Sequence, residues 1–231
     1  MRIVLLGPPG AGKGTQARLL ADKYNVAQIS TGDLFRDNVK NGTEIGKQVE
    51  ALLKAGKIVP DEITIKMVEE RLQQSDCKNG FILDGFPRTV AQAEALEKML
   101  SAKGIKLDGV VQITVNEDLL VERISGRFTC GCCNEGYHDK FKQPAHAGTC
   151  DKCGAVDQFK RRADDNEQTV RTRLEEYHAK TAPILPFYES RHMLKNVDGM
   201  AEMNAVTAQI EAALRGKNPP MGQKPPKNGT L

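Results

Sequence analysis

The sequence predicts an α/β fold, a parallel sheet with helices on both faces. Three observations predict it. A short apolar run, Ile3-Val4-Leu5-Leu6, feeds straight into a glycine-rich loop, Gly7-Pro8-Pro9-Gly10-Ala11-Gly12-Lys13-Gly14-Thr15, and a helical pattern follows. Short apolar runs and helical patterns then alternate along the chain, as βα repeats do. One of these runs, Gly109 to Val115, is Val-rich and uninterrupted, as a strand covered on both faces must be.

The elements follow in order. Arg2 to Leu6 reads as a strand, Lys13 to Tyr24 as a helix and Gln28 to Ser30 as a short strand. Two helices are expected around Asp33 to Asn41 and Glu44 to Ala55. Asp61 reads as an N-cap for a helix running to about Gln74. Phe81 to Leu83 is a buried strand, and Thr89 opens a helix to about Ala102. Glu117 to Ser125 is helical. Residues 127 to 163 break the alternation. Helix returns near Thr169 and runs towards Lys180, with Pro183 and Pro186 limiting its extent. A strand near His192 to Val197 and a helix near Met203 to Arg215 complete the fold. The stretch from Gly216 holds four prolines and three lysines in sixteen residues and reads as disordered.

At 231 residues the chain can bury a full core. Its formal charge of +3 gives no argument for bulk binding of nucleic acid or membrane. No apolar run approaches the ~20 residues that span a bilayer. The strand and glycine loop stand at the N-terminus and leave no room for a signal peptide, so a soluble cytosolic protein is the expectation.

The loop has a chemical meaning. Glycines let backbone N–H groups close on a polyphosphate where a Cβ would block the approach. The next helix points its partly positive N-terminus at the same anion, and Lys13 adds a full charge. The spacing fits G-x-x-x-x-G-K, but Gly14 stands where the common pattern has Ser or Thr. The alternative is a turn that merely joins strand to helix.

Cys130-x-x-Cys133 and Cys150-x-x-Cys153 are sixteen residues apart, the spacing of a four-thiolate zinc site. Two disulfides or four incidental thiols are the alternatives. Cys132 is read as a spectator inside the first knuckle, Cys77 as structural, and His138 and His146 as solvent-facing. Asp84 ends a buried strand beside the phosphate loop, where a magnesium-organising acid belongs; the other reading is a turn cap. Arg88 can fork onto a phosphate. Arg123, Arg127, Arg162, Asp164, Asp165, Arg171 and Arg173 flank the cysteine insert. They read either as a solvated face or as a mobile lid that brings arginines to a polyphosphate.

These motifs together resemble the adenylate kinase family, in its long form with a zinc-bearing lid. The resemblance covers about residues 1 to 215. It is carried by the loop ending Lys13-Gly14-Thr15, by Ser30-Thr31-Gly32-Asp33, by Asp84-Gly85-Phe86-Pro87-Arg88-Thr89 and by Arg162-Ala163-Asp164-Asp165. It implies a P-loop nucleoside-monophosphate-kinase-like sheet flanked by helices. The core would be 1–29, 60–125 and 164–215, the AMP-binding segment 30–59, the zinc-bearing lid 126–163 and the tail 216–231. It implies ATP + AMP ⇌ 2 ADP with Mg2+, structural Zn2+ and a monomeric cytoplasmic enzyme with no nucleic-acid or membrane partner.

The resemblance also carries roles. Gly10, Ala11, Gly12, Lys13, Gly14 and Thr15 would hold ATP phosphates. Thr31, Arg36, Lys57, Ile58, Val59, Gly85, Arg88 and Gln92 would bind AMP. Asp84, Phe86 and Pro87 would belong to the same nucleotide-contacting stretch, with a cis Phe86–Pro87 bond. Arg123 and Arg127 would meet ATP, with Gly136 and Tyr137 beside it and a carbonyl near Ala201 at its base. Arg162 and Arg173 would bridge the phosphates. Lys13, Arg88, Arg123, Arg162, Asp164, Asp165 and Arg173 form the implied catalytic set. Cys130, Cys133, Cys150 and Cys153 would hold the zinc.

The residues suit that chemistry. A phosphate acceptor is already an anion, so positioning and charge neutralisation suffice without a general base. Two other functions fit parts of the chain. A nucleic-acid-binding P-loop ATPase would want an acid where Gly85 stands and an aromatic-studded basic surface. The other is a kinase for another monophosphate, or one using GTP as donor; by the resemblance, Thr31 and Gln92 favour AMP.

Overall fold

A computed structural model describes residues 1–216 of the chain. The expected disorder from Gly216 onward therefore falls almost wholly outside the described residues. Strand β1 (Arg2–Leu6) leads through the glycine loop into α1 (Lys13–Tyr24) and β2 (Ala27–Ser30). Helices α2 (Thr31–Lys40), α3 (Glu44–Lys54) and α4 (Asp61–Leu72) follow, then β3 (Phe81–Asp84), α5 (Val90–Ala102), β4 (Gly109–Thr114) and α6 (Leu120–Ser125). Three short strands, β5 (Arg127–Cys130), β6 (Gly136–His138) and β7 (Phe159–Lys160), interrupt the alternation. Helices α7 (Glu167–Glu176) and α8 (Ile184–Glu189), strand β8 (Leu194–Asp198) and α9 (Met203–Leu214) complete it.

The main sheet has the order β2-β3-β1-β4-β8 and every pairing is parallel. Side chains alternate along β1, so Val4 and Leu6 face one core while Ile3 and Leu5 face the other. The first core takes Leu83, Val110, Leu96, Leu100 and Ile184. The second takes Ile82, Val111, Leu20, Val206 and Ile210. Both faces are buried, which is why the strands read as unbroken apolar runs. Helices α2 and α3 pack around a small cluster of their own, Phe35, Val49, Val59 and Met67.

Two local expectations change, and a third holds. Asp61 is not an N-cap: Pro60 holds that position and Asp61 is the first helical residue. Its carboxylate accepts instead from Thr89 Oγ1 at 2.9 Å and Gln92 Nε2 at 2.7 Å. The first of the two paired helices starts at Thr31, because the Ser30 hydroxyl caps it by accepting from the Asp33 N–H. The helix that runs towards Lys180 stops at Thr181, two residues before Pro183, as expected. Helix α7 passes through a π turn at Tyr177–Thr181, and Pro183 and Pro186 sit at the start of α8, where a missing N–H leaves no hydrogen bond broken.

Candidate nucleotide and metal sites

The glycine loop leaves β1 beside the end of β3. Gly7 (φ 143°) and Gly10 (φ 81°) adopt backbone conformations that L side chains rarely reach. A Cβ on Gly7 would stand 2.6 Å from the Ile113 carbonyl oxygen, and one on Gly10 would stand 2.8 Å from Ile124 Cγ1. Helix α1 starts with no side-chain cap and no acid in its first turn, unlike α2, which has both. Its orphan N–H groups are thus left for an anion.

Lys13 folds back over this loop. Its Nζ donates to the Gly7 and Pro8 carbonyls, each at 2.8 Å. Burial pulls its pKa down to about 8, against the opposing pull of Asp84. Asp84 is itself held above the usual carboxylate range by burial, with Lys13 opposing. A Cβ at position 14 would lie 3.2 Å from Asp84 Oδ2, so Gly14 gives the carboxylate room to approach the loop.

Chain segments far apart in sequence bring arginines to the same place. Arg127 forks onto Asp165 at 2.9 and 2.6 Å. Arg173 pairs with Asp164 and stands 3.6 Å from Asp165. Arg162 donates to Asp33 at 3.3 Å, and Arg36 pairs with the same carboxylate. Arg88 Nε donates to the Gly85 carbonyl at 2.9 Å. Burial, then repulsion from Arg127, Arg88, Arg36 and Arg162, pulls Arg173 below the usual guanidinium range. Arg162 is pulled down by burial, then by Arg36 and Arg127. Positive charge is crowded here beyond what its carboxylates absorb, which is the electrostatic state of an anion site.

A cleft opens beside this cluster. Thr31, Lys57, Ile58, Val59, Gly85, Arg88 and Gln92 line it, and so do Phe35, Leu53 and Thr64, which the motifs did not single out. The apolar spacing of α2 and α3 was the only signal for Phe35 and Leu53. Thr31 Oγ1 donates to the Gly85 carbonyl at 2.8 Å, and the Phe86–Pro87 bond is cis. Arg36 lies over Gly32. Arg123 is elsewhere: its Nη1 donates to the Gly199 carbonyl at 3.3 Å, on the turn that leads to Ala201.

The four paired cysteines meet in the three-stranded sheet, ordered β6-β5-β7. Their sulfurs all lie within 4.8 Å of one another. Cys130 and Cys153 are 3.7 Å apart, and Cys133 and Cys150 are 3.6 Å apart. A tetrahedron with Zn–S bonds of about 2.3 Å has edges of about 3.8 Å. A disulfide needs about 2.05 Å, and all six cysteines are free thiols. The residues fit a metal and not a pair of disulfides. Cys132 is exposed and stands outside the cluster.

One side chain near the thiols, His138, differs from expectation. His138 is buried, not solvent-facing: its Nε2 lies 3.1 Å from the Glu122 carbonyl, and its Nδ1 accepts from Lys140 N and Phe141 N. Tyr137 is buried too. Its hydroxyl donates to Cys150 Sγ and accepts from Asp151 N, and its ring packs on Phe128 and Phe159. Its ring therefore supports the cysteine cluster. His146 is exposed, as expected. Arg18 of α1 donates to the Asn134 carbonyl and stands 3.6 Å from Glu135, while Lys152 reaches Asp22 at 2.9 Å. These contacts set the small sheet against α1.

A parallel sheet, a phosphate loop and a crowd of arginines beside a second cleft define a P-loop nucleotide phosphotransferase. Residues 5–193 match the adenylate kinase family. The adenylate kinase of Allorhizobium ampelinum is 54% identical over 216 residues, 94% of this chain and 100% of that protein. The adenylate kinase of Novosphingobium aromaticivorans is 55% identical over 217 residues, with the same coverage. That of Zymomonas mobilis is 53% identical over 225 residues, 97% of this chain and 99% of its own. The chain belongs to the adenylate kinase family of nucleoside monophosphate kinases, enzymes that move a phosphoryl group between ATP and AMP. Among the described residues, no helix is long and apolar enough to cross a membrane.

Proposed function

We propose that the chain transfers a phosphoryl group reversibly from ATP to AMP, giving two ADP, in a magnesium-dependent reaction with a structural zinc in the lid. The observation that carries the reading is the convergence of Lys13, Arg36, Arg88, Arg127, Arg162 and Arg173 between the phosphate loop and the cleft. Gly10 to Thr15 would hold the donor phosphates through backbone N–H groups. The cleft of Thr31, Lys57 to Val59, Gly85, Arg88 and Gln92 would hold AMP, with Arg88 and Arg36 on its phosphate. Arg123 and the turn to Ala201 would bound the donor base.

The acceptor phosphate needs no base to activate it. Lys13 and the arginines would neutralise charge spread over the transferring group, in a site closed to water. Asp164 and Asp165 would act as positioning residues, each holding an arginine in place. Asp84 suits magnesium held through water, since it is a buried carboxylate beside the loop; the metal would neutralise donor phosphate charge. Residues 126–163 would form the lid, 30–59 the AMP-binding segment, and the rest of the described chain the core. A monomer in the cytoplasm is the accompanying expectation.

A coupled assay with ATP and four acceptors tests this reading. AMP should be phosphorylated far faster than GMP, UMP or CMP, and chelating magnesium should abolish turnover. Efficient use of UMP would move the chain to another monophosphate kinase.

A further inference from the structure

Glutamine carries an oxygen and a nitrogen of nearly equal size, so a swapped amide fits the same space. At Gln92 the surroundings forbid the swap. The Arg88 N–H can only donate, and it faces Gln92 Oε1 at 2.7 Å. The Asp61 carboxylate can only accept, and its Oδ1 faces Gln92 Nε2 at 2.7 Å. The Thr89 hydroxyl accepts from Gln92 N at 3.1 Å, so its own proton goes to Asp61 Oδ2 at 2.9 Å. Swapping the amide would set oxygen against carboxylate and N–H against N–H.

We propose that Asp61 is a positioning residue for acceptor specificity: it locks the orientation of the Gln92 amide and so lets the cleft tell a 6-aminopurine from a 6-oxopurine. This rests on the reading that the cleft takes the base of AMP. Asp61 does not line the cleft; it acts from the first turn of α4 through Gln92. The locked amide offers the cleft one remaining Nε2 hydrogen and one Oε1 lone pair, in fixed order. Adenine presents a ring-nitrogen acceptor and an amino donor. A 6-oxopurine presents the reverse, a ring N–H donor and a carbonyl acceptor. A free amide could turn to suit either; a locked one leaves the 6-oxopurine unpaired, and an unpaired buried polar group is costly.

The test is steady-state kinetics on Asp61→Asn with AMP and inosine monophosphate as acceptors. Asparagine can donate as well as accept, so one of the two clashes of the swapped amide disappears. The preference for AMP over inosine monophosphate should fall by about tenfold through the acceptor KM, with the KM for ATP unchanged. An unchanged preference in a folded variant overturns the lock. If the wild type itself shows no preference for AMP, the acceptor reading fails first, and that outcome is distinct. Should the variant not fold, NMR of the wild type decides. A locked amide accepts from the Arg88 N–H and shields that proton from exchange with solvent, and a fast-exchanging Arg88 N–H overturns it.

Discussion

The main sheet and the cysteine-bearing sheet solve the same problem by different means. The five parallel strands bury side chains on both faces, and Ile3, Val4, Ile82, Leu83, Val110 and Val111 have no exposure at all. The three antiparallel strands hold two to four residues each. Their buried cluster is Cys130, Tyr137 and Cys150, with Phe128 and Phe159 against it. So small a core contributes little hydrophobic stabilisation, and small domains commonly make up the shortfall with metals. The difference teaches where each region is vulnerable. The large sheet carries its own stability and can spend residues on chemistry at its strand ends. The small sheet gathers four sulfurs that could hold a metal in place of a core.

The largest effect should come from the chemistry of the large region. Lys13→Met should lower kcat by about 10²–10³-fold or more, as loss of a preorganised charge does. The fold should survive, because Lys13 hydrogen-bonds only to carbonyls of its own loop. Near-normal turnover in a folded variant would break the division between stability and chemistry.

Removing a thiolate tests the small region. Cys150→Ser should lower the melting temperature of the zinc-loaded protein by about 5–10 °C if it costs about 2–3 kcal/mol at 2–4 °C each. Zinc analysis should find one equivalent in the wild type and much less in the variant. Cys132→Ser should change neither. An unaltered melt for Cys150→Ser would mean that the small sheet stands on its side chains alone.

The smallest effect is a pH dependence in which activity and stability move in opposite directions. Lys13 has a pKa of about 8 against an ordinary 10.5, so raising pH through 8 discharges it in the folded chain first. The kcat/KM for ATP should fall above about pH 8, since that quantity reports the free enzyme. The unfolded chain keeps the proton up to 10.5. Between about 8 and 10.5 the unfolded state binds more protons, and the Lys13 contribution to stability rises with pH. A Lys13→Met protein should lack that rise; denaturant melts of both proteins at pH 7.5 and 9.5 would show it.

Much of this was legible in the residues. The phosphate loop and the thiol pairs are local codes: Gly7 to Thr15 and each C-x-x-C knuckle place their atoms through a few consecutive dihedrals. The strands were legible because burial on both faces demands apolar runs. Asp61 was misread because an acid before a helical pattern looks like a cap, and its true partners, Thr89 and Gln92, lie 28 and 31 residues away. His138 was misread because its carbonyl partner, Glu122, belongs to another element.

By itself, then, the sequence determined the βα order, the anion loop, the four thiols and the family to which they belong. Tertiary structure decided which charges meet: that Arg162 reaches Asp33, that Arg127 and Arg173 share Asp165, and that Arg18 faces Glu135. It also decided which way Gln92 points. The physical reason is range. A motif fixes neighbours through covalent geometry, whereas pairs between separate elements, such as Arg162 with Asp33 at 129 residues or Arg127 with Asp165 at 38, are set only when the sheet closes and the chain returns.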